Sequence, residues 1–266
     1  MATERTDVYS RWGKAPVGGK SYHLLIWHLL DVAAVAQRYL GRNEMMRRRL
    51  AALLRCDEDE ALAVVSRAIG LHDLGKASGA FQSLRPDLVK RLTGTPDQGG
   101  WSRCHHPDLT VPLLDRTLGG SLDEVQRRLA QAAAGHHGLP VQLVSDERFW
   151  DFARSVDVDV AREMLLAVDA CVGVPPSLAA TSDTNHATWL VAGLTVLADW
   201  IGSNEKFFPL VSDPVPVRAY WNATLDRADK ALADTGVLPV PSATRMASSA
   251  LIGWAPEELH PMQRTA

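Results

Sequence analysis

The sequence predicts an all-α protein, and three observations carry that prediction. Apolar residues recur at three- and four-residue steps almost everywhere. The best strand candidate, Val211 to Val217, contains Pro214 and Pro216, which argues against a central strand. Long turn-rich segments, Lys14 to Lys20, Thr93 to Pro107 and Val174 to Asp183, separate stretches of helical period.

Taken in order, Tyr22 to Leu40 has the apolar spacing of a helix. A second helix is expected from about Glu60 to Leu71, with Gly75 as its stop. Ser121 to Glu124 has the form of a capping box and should start a helix running to Ala134, ended by Gly135 and the Gly138-Leu139-Pro140 cluster. Asp159 to Cys171 reads as amphipathic. Asp183 or Thr184 can cap a long helix to about Ile201, and Asn222 to Ala233 is a shorter, more polar one. No internal repeat interrupts this pattern, and one domain is expected over residues 1–245.

Composition narrows the class. The chain has 266 residues, 46% hydrophobic and 22% charged, which is globular and excludes a disordered or collagen-like protein. Lys plus Arg total 28 against 31 for Asp plus Glu, a net charge of −3, so any nucleic-acid chemistry must come from local residues rather than a basic surface. Cys56, Cys104 and Cys171 are odd in number and form no CxxC pair, which points to free thiols in a reducing compartment. No signal peptide or membrane span is visible, so a soluble, cytoplasmic protein without a membrane partner is expected.

Several polar residues stand where the periodicity expects core. His28 lies within Leu24-Leu25-Ile26-Trp27 and Leu29-Leu30. His72-Asp73 follows Ala68-Ile69-Gly70-Leu71. His136-His137 follows Ala132-Ala133-Ala134, and Asp199 sits within Leu194 to Ile201. An unpaired carboxylate in such a place costs several kcal/mol, so each needs a partner. Taken singly, each has an ordinary explanation: a hydrogen-bonded core histidine, a buried acceptor, a histidine at a helix end. Taken together, they are a set of imidazole and carboxylate ligands, which suits Fe, Mn, Co, Ni or Zn better than Ca or Mg. Lys76, four residues after His72, is either a solvated lysine or a cation facing a substrate phosphate. Trp12, Trp101 and Trp200 are expected in the core, with base stacking as the alternative. Arg47-Arg48-Arg49 reads as a charged helix face.

His72-Asp73-Leu74-Gly75-Lys76 has the HDxGK form of the HD superfamily of metal phosphohydrolases. With Tyr22 to Asp31 upstream, Ala134 to Gly138 in the middle and Leu197 to Ser203 downstream, residues 9 to 210 resemble the HD nuclease domain of the CRISPR-associated nuclease–helicase of type I systems. The resemblance implies a helical domain with a dinuclear metal site. One metal would be held by His28, His72, Asp73 and Asp199. The second would be held by Asp73 as a bridge, His136, His137 and His106, with His105 as the alternative to His106. His106 is preferred because its spacing to Thr110 fits the family's H-x-x-x-(S/T) pattern better. Asp73 and Lys76 would serve catalysis. The implied cofactors are two divalent transition metals, Mn, Co, Ni or Fe, with Mg poor.

The implied activity is hydrolysis of phosphodiester bonds in single-stranded DNA during CRISPR interference. The implied partners are single-stranded DNA, a helicase domain of the same protein and the RNA-guided surveillance complex. Leu251 to Pro256 and Pro261-Met262-Gln263 resemble the entry to a superfamily 2 helicase, so residues 246–266 are expected to be a linker and the start of that region. No G-x-x-x-x-G-K-[ST] motif occurs, so no ATP site is expected in this chain. The rival readings are a phosphohydrolase acting on free or cyclic nucleotides and a non-catalytic module docking on the surveillance complex.

Overall fold

The structure is a computed structural model and describes residues 7–16, 19 and 21–239. The expected helicase entry at 246–266 lies outside the described residues. Among the described residues there are ten α-helices and one two-stranded antiparallel sheet, β1 (Trp12–Lys14) with β2 (His23–Leu24). The all-α expectation therefore holds. The small sheet falls in and beside the segment read as a turn, and its second strand leads straight into the first helix.

That helix, α1 (Leu25–Arg42), is the axis of the fold. Leu25 through Ala36 are all buried, so it is apolar around its whole circumference and lies inside the bundle. Around it pack α2 (Glu44–Leu54), α3 (Glu58–Gly70), α8 (Ser155–Val172), α9 (Thr184–Gly202) and α10 (Val217–Thr235). The remaining helices are α4 (Gly79–Gln82), α5 (Pro86–Thr93), α6 (His106–Thr117) and α7 (Glu124–Ala134). Two glycines bring the outer helices close to α1. A Cβ on Gly70 would stand 2.8 Å from Ala33 Cβ, and one on Gly202 would stand 2.9 Å from Val32 Cγ2. These contacts lie within a turn or so of His28, His72 and Asp199.

Local sequence explains most boundaries. Asp57 and Glu60 form a reciprocal capping box at the start of α3. The cap of α7 is Asp123, whose side chain accepts from the Gln126 N–H, and not Ser121, because the helix starts two residues later than the Ser-x-x-Glu pattern implied. The helix α6 begins inside the segment read as a loop to Pro107: proline is favoured in a first helical turn, where its missing N–H is no loss. Gly75 does not stop α3, which ends at Gly70; it belongs to a 3₁₀ turn, Leu74–Ala77. The three cysteines are free. In α2, Arg47 and Arg48 pair with Glu58 and Glu44 on a charged face. Among the described residues, no helix is long and apolar enough to cross a membrane.

Two further buried groups tie the bundle together. Asp31 on α1 is fully buried and accepts hydrogen bonds from Tyr220 Oη (3.0 and 3.1 Å), the Thr224 hydroxyl and His23 Nε2 (3.1 Å). Arg11 pairs with Asp157 at 3.0 Å and donates to the carbonyl of Ala77, which pins the 3₁₀ turn from below.

Candidate metal centre

The helices α3 and α7 end by the same device. Each leaves carbonyls without an intrahelical partner in its last turn. His72 Nδ1 lies 2.9 Å from the Ile69 carbonyl, and His136 Nδ1 lies 3.1 Å from the Ala133 carbonyl. The Nδ1–H donates in both, so each ring turns its Nε2 inward, where the atom can ligate once deprotonated. Both Nε2 atoms are buried and have no hydrogen-bond partner.

Between them stands Asp73. Its Oδ2 accepts from His28 Nε2 at 2.9 Å, lies 3.4 Å from His72 Nε2 and receives the Lys76 ammonium at 2.6 Å. Its Oδ1 faces the other way. His106 Nε2 stands 2.9 Å from it and His136 Nε2 3.8 Å, and Oδ1 has no hydrogen-bond partner among the described residues. His137 Nε2 lies 3.5 Å from His106 Nε2. Asp199 Oδ1 lies 3.7 Å from His28 Nε2 and 3.6 Å from His72 Nε2, and Ser203 Oγ donates to it at 2.9 Å.

Seven of the side chains singled out in the sequence thus meet in two adjoining groups. His28, His72 and Asp199 form one, and Asp73, His106, His136 and His137 the other, with the ligand atoms of each within 4.8 Å of one another. His105 is exposed at the N-cap of α6 and stands outside both groups. The fit to metal is direct: three buried polar atoms, His72 Nε2, His136 Nε2 and Asp73 Oδ1, have no partner and point at common centres. The donor set, imidazole with carboxylate, suits transition cations.

The charges follow from burial and neighbours. Burial raises the Asp73 carboxyl, but the Lys76 ammonium and the surrounding imidazoles outweigh it and hold it well below the ordinary carboxylate range. Burial likewise raises Asp199, and His72 and His28 bring it below its ordinary value. Burial pulls His72 down, while Asp73 and Asp199 push it up to about 9. Burial lowers His136 to about 4, with His72 adding to the effect, and burial also lowers His28 and His106.

Sequence reasoning missed what holds these groups in place. The Thr110 hydroxyl accepts from the Gly75 N–H (3.1 Å) and donates to the His72 carbonyl (3.1 Å), fastening α6 to the His-Asp turn. A Cβ at Gly75 would lie 1.9 Å from the His106 carbonyl oxygen, so only glycine lets α6 come this near. Trp12 is in the core as expected, and Trp101 is half-buried, its ring where a Cβ on Gly79 would be. Trp200 is 75% exposed, because the buried stripe of α9 runs through Leu194, Ala198 and Ile201 and passes it by.

The family model described as Cas3, HD domain, matches residues 12–208. The chain belongs to this Cas3 HD domain family. Among curated proteins, the CRISPR-associated endonuclease/helicase Cas3 of Thermus thermophilus is 32% identical over 213 residues, 76% of this chain and 23% of that protein. The protein of the same description from Escherichia coli is 26% identical over 264 residues, 85% of this chain and 30% of that protein. The chain therefore spans about a quarter to a third of these relatives. The Thermus thermophilus Cas3 HD domain, solved in the presence of Ni2+, superposes with a TM-score of 0.64 at 29% identity, covering 87% of this chain and 92% of that one.

Proposed function

We propose that this Cas3 HD domain is a metal-dependent nuclease that hydrolyses phosphodiester bonds of single-stranded DNA. The observation that carries the reading is the division of Asp73: one oxygen faces each of the two ligand groups, as a bridging carboxylate requires. His28, His72, Asp73 and Asp199 would hold one cation, and Asp73, His106, His136 and His137 the other. Bound there, two transition cations supply Lewis-acid polarisation of the phosphodiester and a water that ionises near neutral pH.

The protein's own residues do the rest. The Ile69 and Ala133 carbonyls hold the imidazoles in the ligating tautomer. Ser203 fixes the Asp199 carboxylate. Lys76 occupies Asp73 Oδ2 as a resident cation and, with a phosphate present, offsets the charge that develops on it. The presence of Ni2+ with the Thermus thermophilus HD domain agrees with the transition-metal preference of this donor set. A helicase domain and an RNA-guided surveillance complex as partners follow from the family resemblance and belong to the same proposal, as does a cytoplasmic setting.

The test incubates the chain with labelled single-stranded DNA and with a panel of free and cyclic nucleotides, in Mn, Co, Ni, Fe and Mg separately. Cleavage of DNA in the transition metals and little in Mg is the expected result. Phosphate release from nucleotides with the DNA left whole would overturn the reading, as would inactivity in every metal.

A further inference from the structure

An open groove of about 830 Å³ lies beside the metal centre, between α7 and α9. Its α7 wall carries Arg128 and Ala132, with Gly135 just past the helix end, and its α9 wall carries Trp189, Gly193 and Val196. Both sets are spaced at three to four residues and follow one helical stripe. The groove borders the metal centre in sequence: its lining residues Gly135 and Gly138 flank His136-His137, and Val196 stands one turn before Asp199 on α9. The groove therefore runs along two helices toward the ends that carry His136, His137 and Asp199. From Trp189 to Asp199 is ten residues, or about 15 Å along the helix, room for about four stacked nucleotides of one strand.

Its surface is unusual for an exposed face. Trp189 is 80% exposed and Leu139, on the third wall, 73%. The floor is low. A Cβ added at Gly193 would meet nothing within 4 Å, so this glycine is not required by packing inside the protein; it leaves open space where a side chain would stand. Charge is confined to the far end, where Arg128 bridges Glu124 and Asn185. A flat, apolar, π-faced ligand fits such a channel, with its charged backbone left in solvent and led to the cations.

We infer that this groove is the base-binding subsite of single-stranded DNA next to the cleaved phosphate, with Trp189 as its stacking face. The inference rests on the nuclease reading above, and its test is independent of cleavage. Stacking on one aromatic side chain is worth a factor of about 5 to 150 in affinity by alanine substitution.

Binding of a labelled 12-residue oligothymidylate and of a fully abasic strand of equal length is measured by fluorescence anisotropy on the chain in a chelator, where nothing is cut. Trp189→Ala should weaken the thymidylate about 10-fold or more and leave the abasic strand unchanged. Trp189→Phe should restore most of the loss. Gly193→Leu, which fills the channel from open space, should weaken the thymidylate to a similar degree. Equal binding of the thymidylate by wild type and Trp189→Ala overturns the subsite, as does equal weakening of both strands. Loss of self-association in Trp189→Ala with DNA binding intact also overturns it and makes the groove a protein-docking face. Failure of the nuclease reading would instead show as inactivity of wild type in every metal, whatever the anisotropy reports.

Discussion

Two buried carboxylates, Asp31 and Asp73, show how differently one residue type serves a fold. Asp31 is completely enclosed, and Tyr220, Thr224 and His23 satisfy its oxygens. His23 also accepts at Nδ1 from the Val211 N–H, which fixes its Nε2 as the donor toward Asp31. Asp73 is buried almost as deeply, yet one oxygen and two facing imidazole nitrogens have no partner. A satisfied buried network holds elements together; an unsatisfied one costs free energy unless something else enters it. The difference separates a structural clamp between α1 and α10 from a site built for cations.

Removing each carboxylate is the strongest way to break this contrast. Asp73→Ala should abolish DNA cleavage, a loss of at least about 10³-fold if the shared carboxylate organises the chemistry. Elemental analysis should find both cations lost; two cations per chain in this variant would contradict the bridge. Asp31→Ala should do the reverse. It leaves the Tyr220, Thr224 and His23 donors unpaired in the core and should cost about 3–5 kcal/mol of stability, read by denaturant unfolding. The chains that remain folded should keep both cations.

A smaller effect sharpens the role of Lys76. Lys76→Met keeps the stem and removes the ammonium. Cleavage should fall about 10- to 100-fold with metal content retained, and loss of metal instead would make Lys76 a structural partner of Asp73 only.

The pH dependence of the metal-free protein is a gentler probe still. His72, at about 9, lies above its unfolded value of about 6.5, so its contribution to stability is full below pH ~6.5 and is lost as pH rises through 9. His136, at about 4, lies below that value, so its contribution is present above pH ~6.5 and is lost as pH falls through 4. The metal-free Tm should therefore fall on both sides of a maximum near pH ~6.5. Adding metal at pH ~7.5 should release about one proton, the one His72 carries, measured by calorimetry in buffers of different ionisation enthalpy. The smallest effect expected is at Ser203. Ser203→Ala frees the Asp199 carboxylate and should weaken one of the two cations about 10-fold.

The parts of this molecule legible in its sequence are those governed by period and polarity. The apolar runs of α1 and α9 announced buried helices, and His28, His72, Asp73 and Asp199 stood out because each interrupts such a run. What the sequence left unread depends on distance. Helix α6 was hidden by Pro107 and Pro112, one favoured in the first turn and the other tolerated inside the helix. The clamp on Asp31 joins residues 189 and 193 positions apart, which no periodicity reports. The choice between His105 and His106 turns on which side of an N-cap a residue falls. The separation of Asp73's two oxygens is a matter of side-chain orientation, which spacing cannot express. Thr110 is half legible: its interval from His106 can be read from the sequence, while the bridge its hydroxyl makes between two elements cannot.

Position 75 has a wider consequence. With a carbonyl of α6 lying 1.9 Å from where a methyl would have to go, no L-amino acid with a side chain can be accommodated without prising the sixth helix outward. His106 rides on that helix, so the close approach of α6 to the His-Asp turn also sets the span between the two halves of the centre. Exchanging one α-hydrogen there for a methyl would be expected to mis-space the ligands before the protein lost its shape.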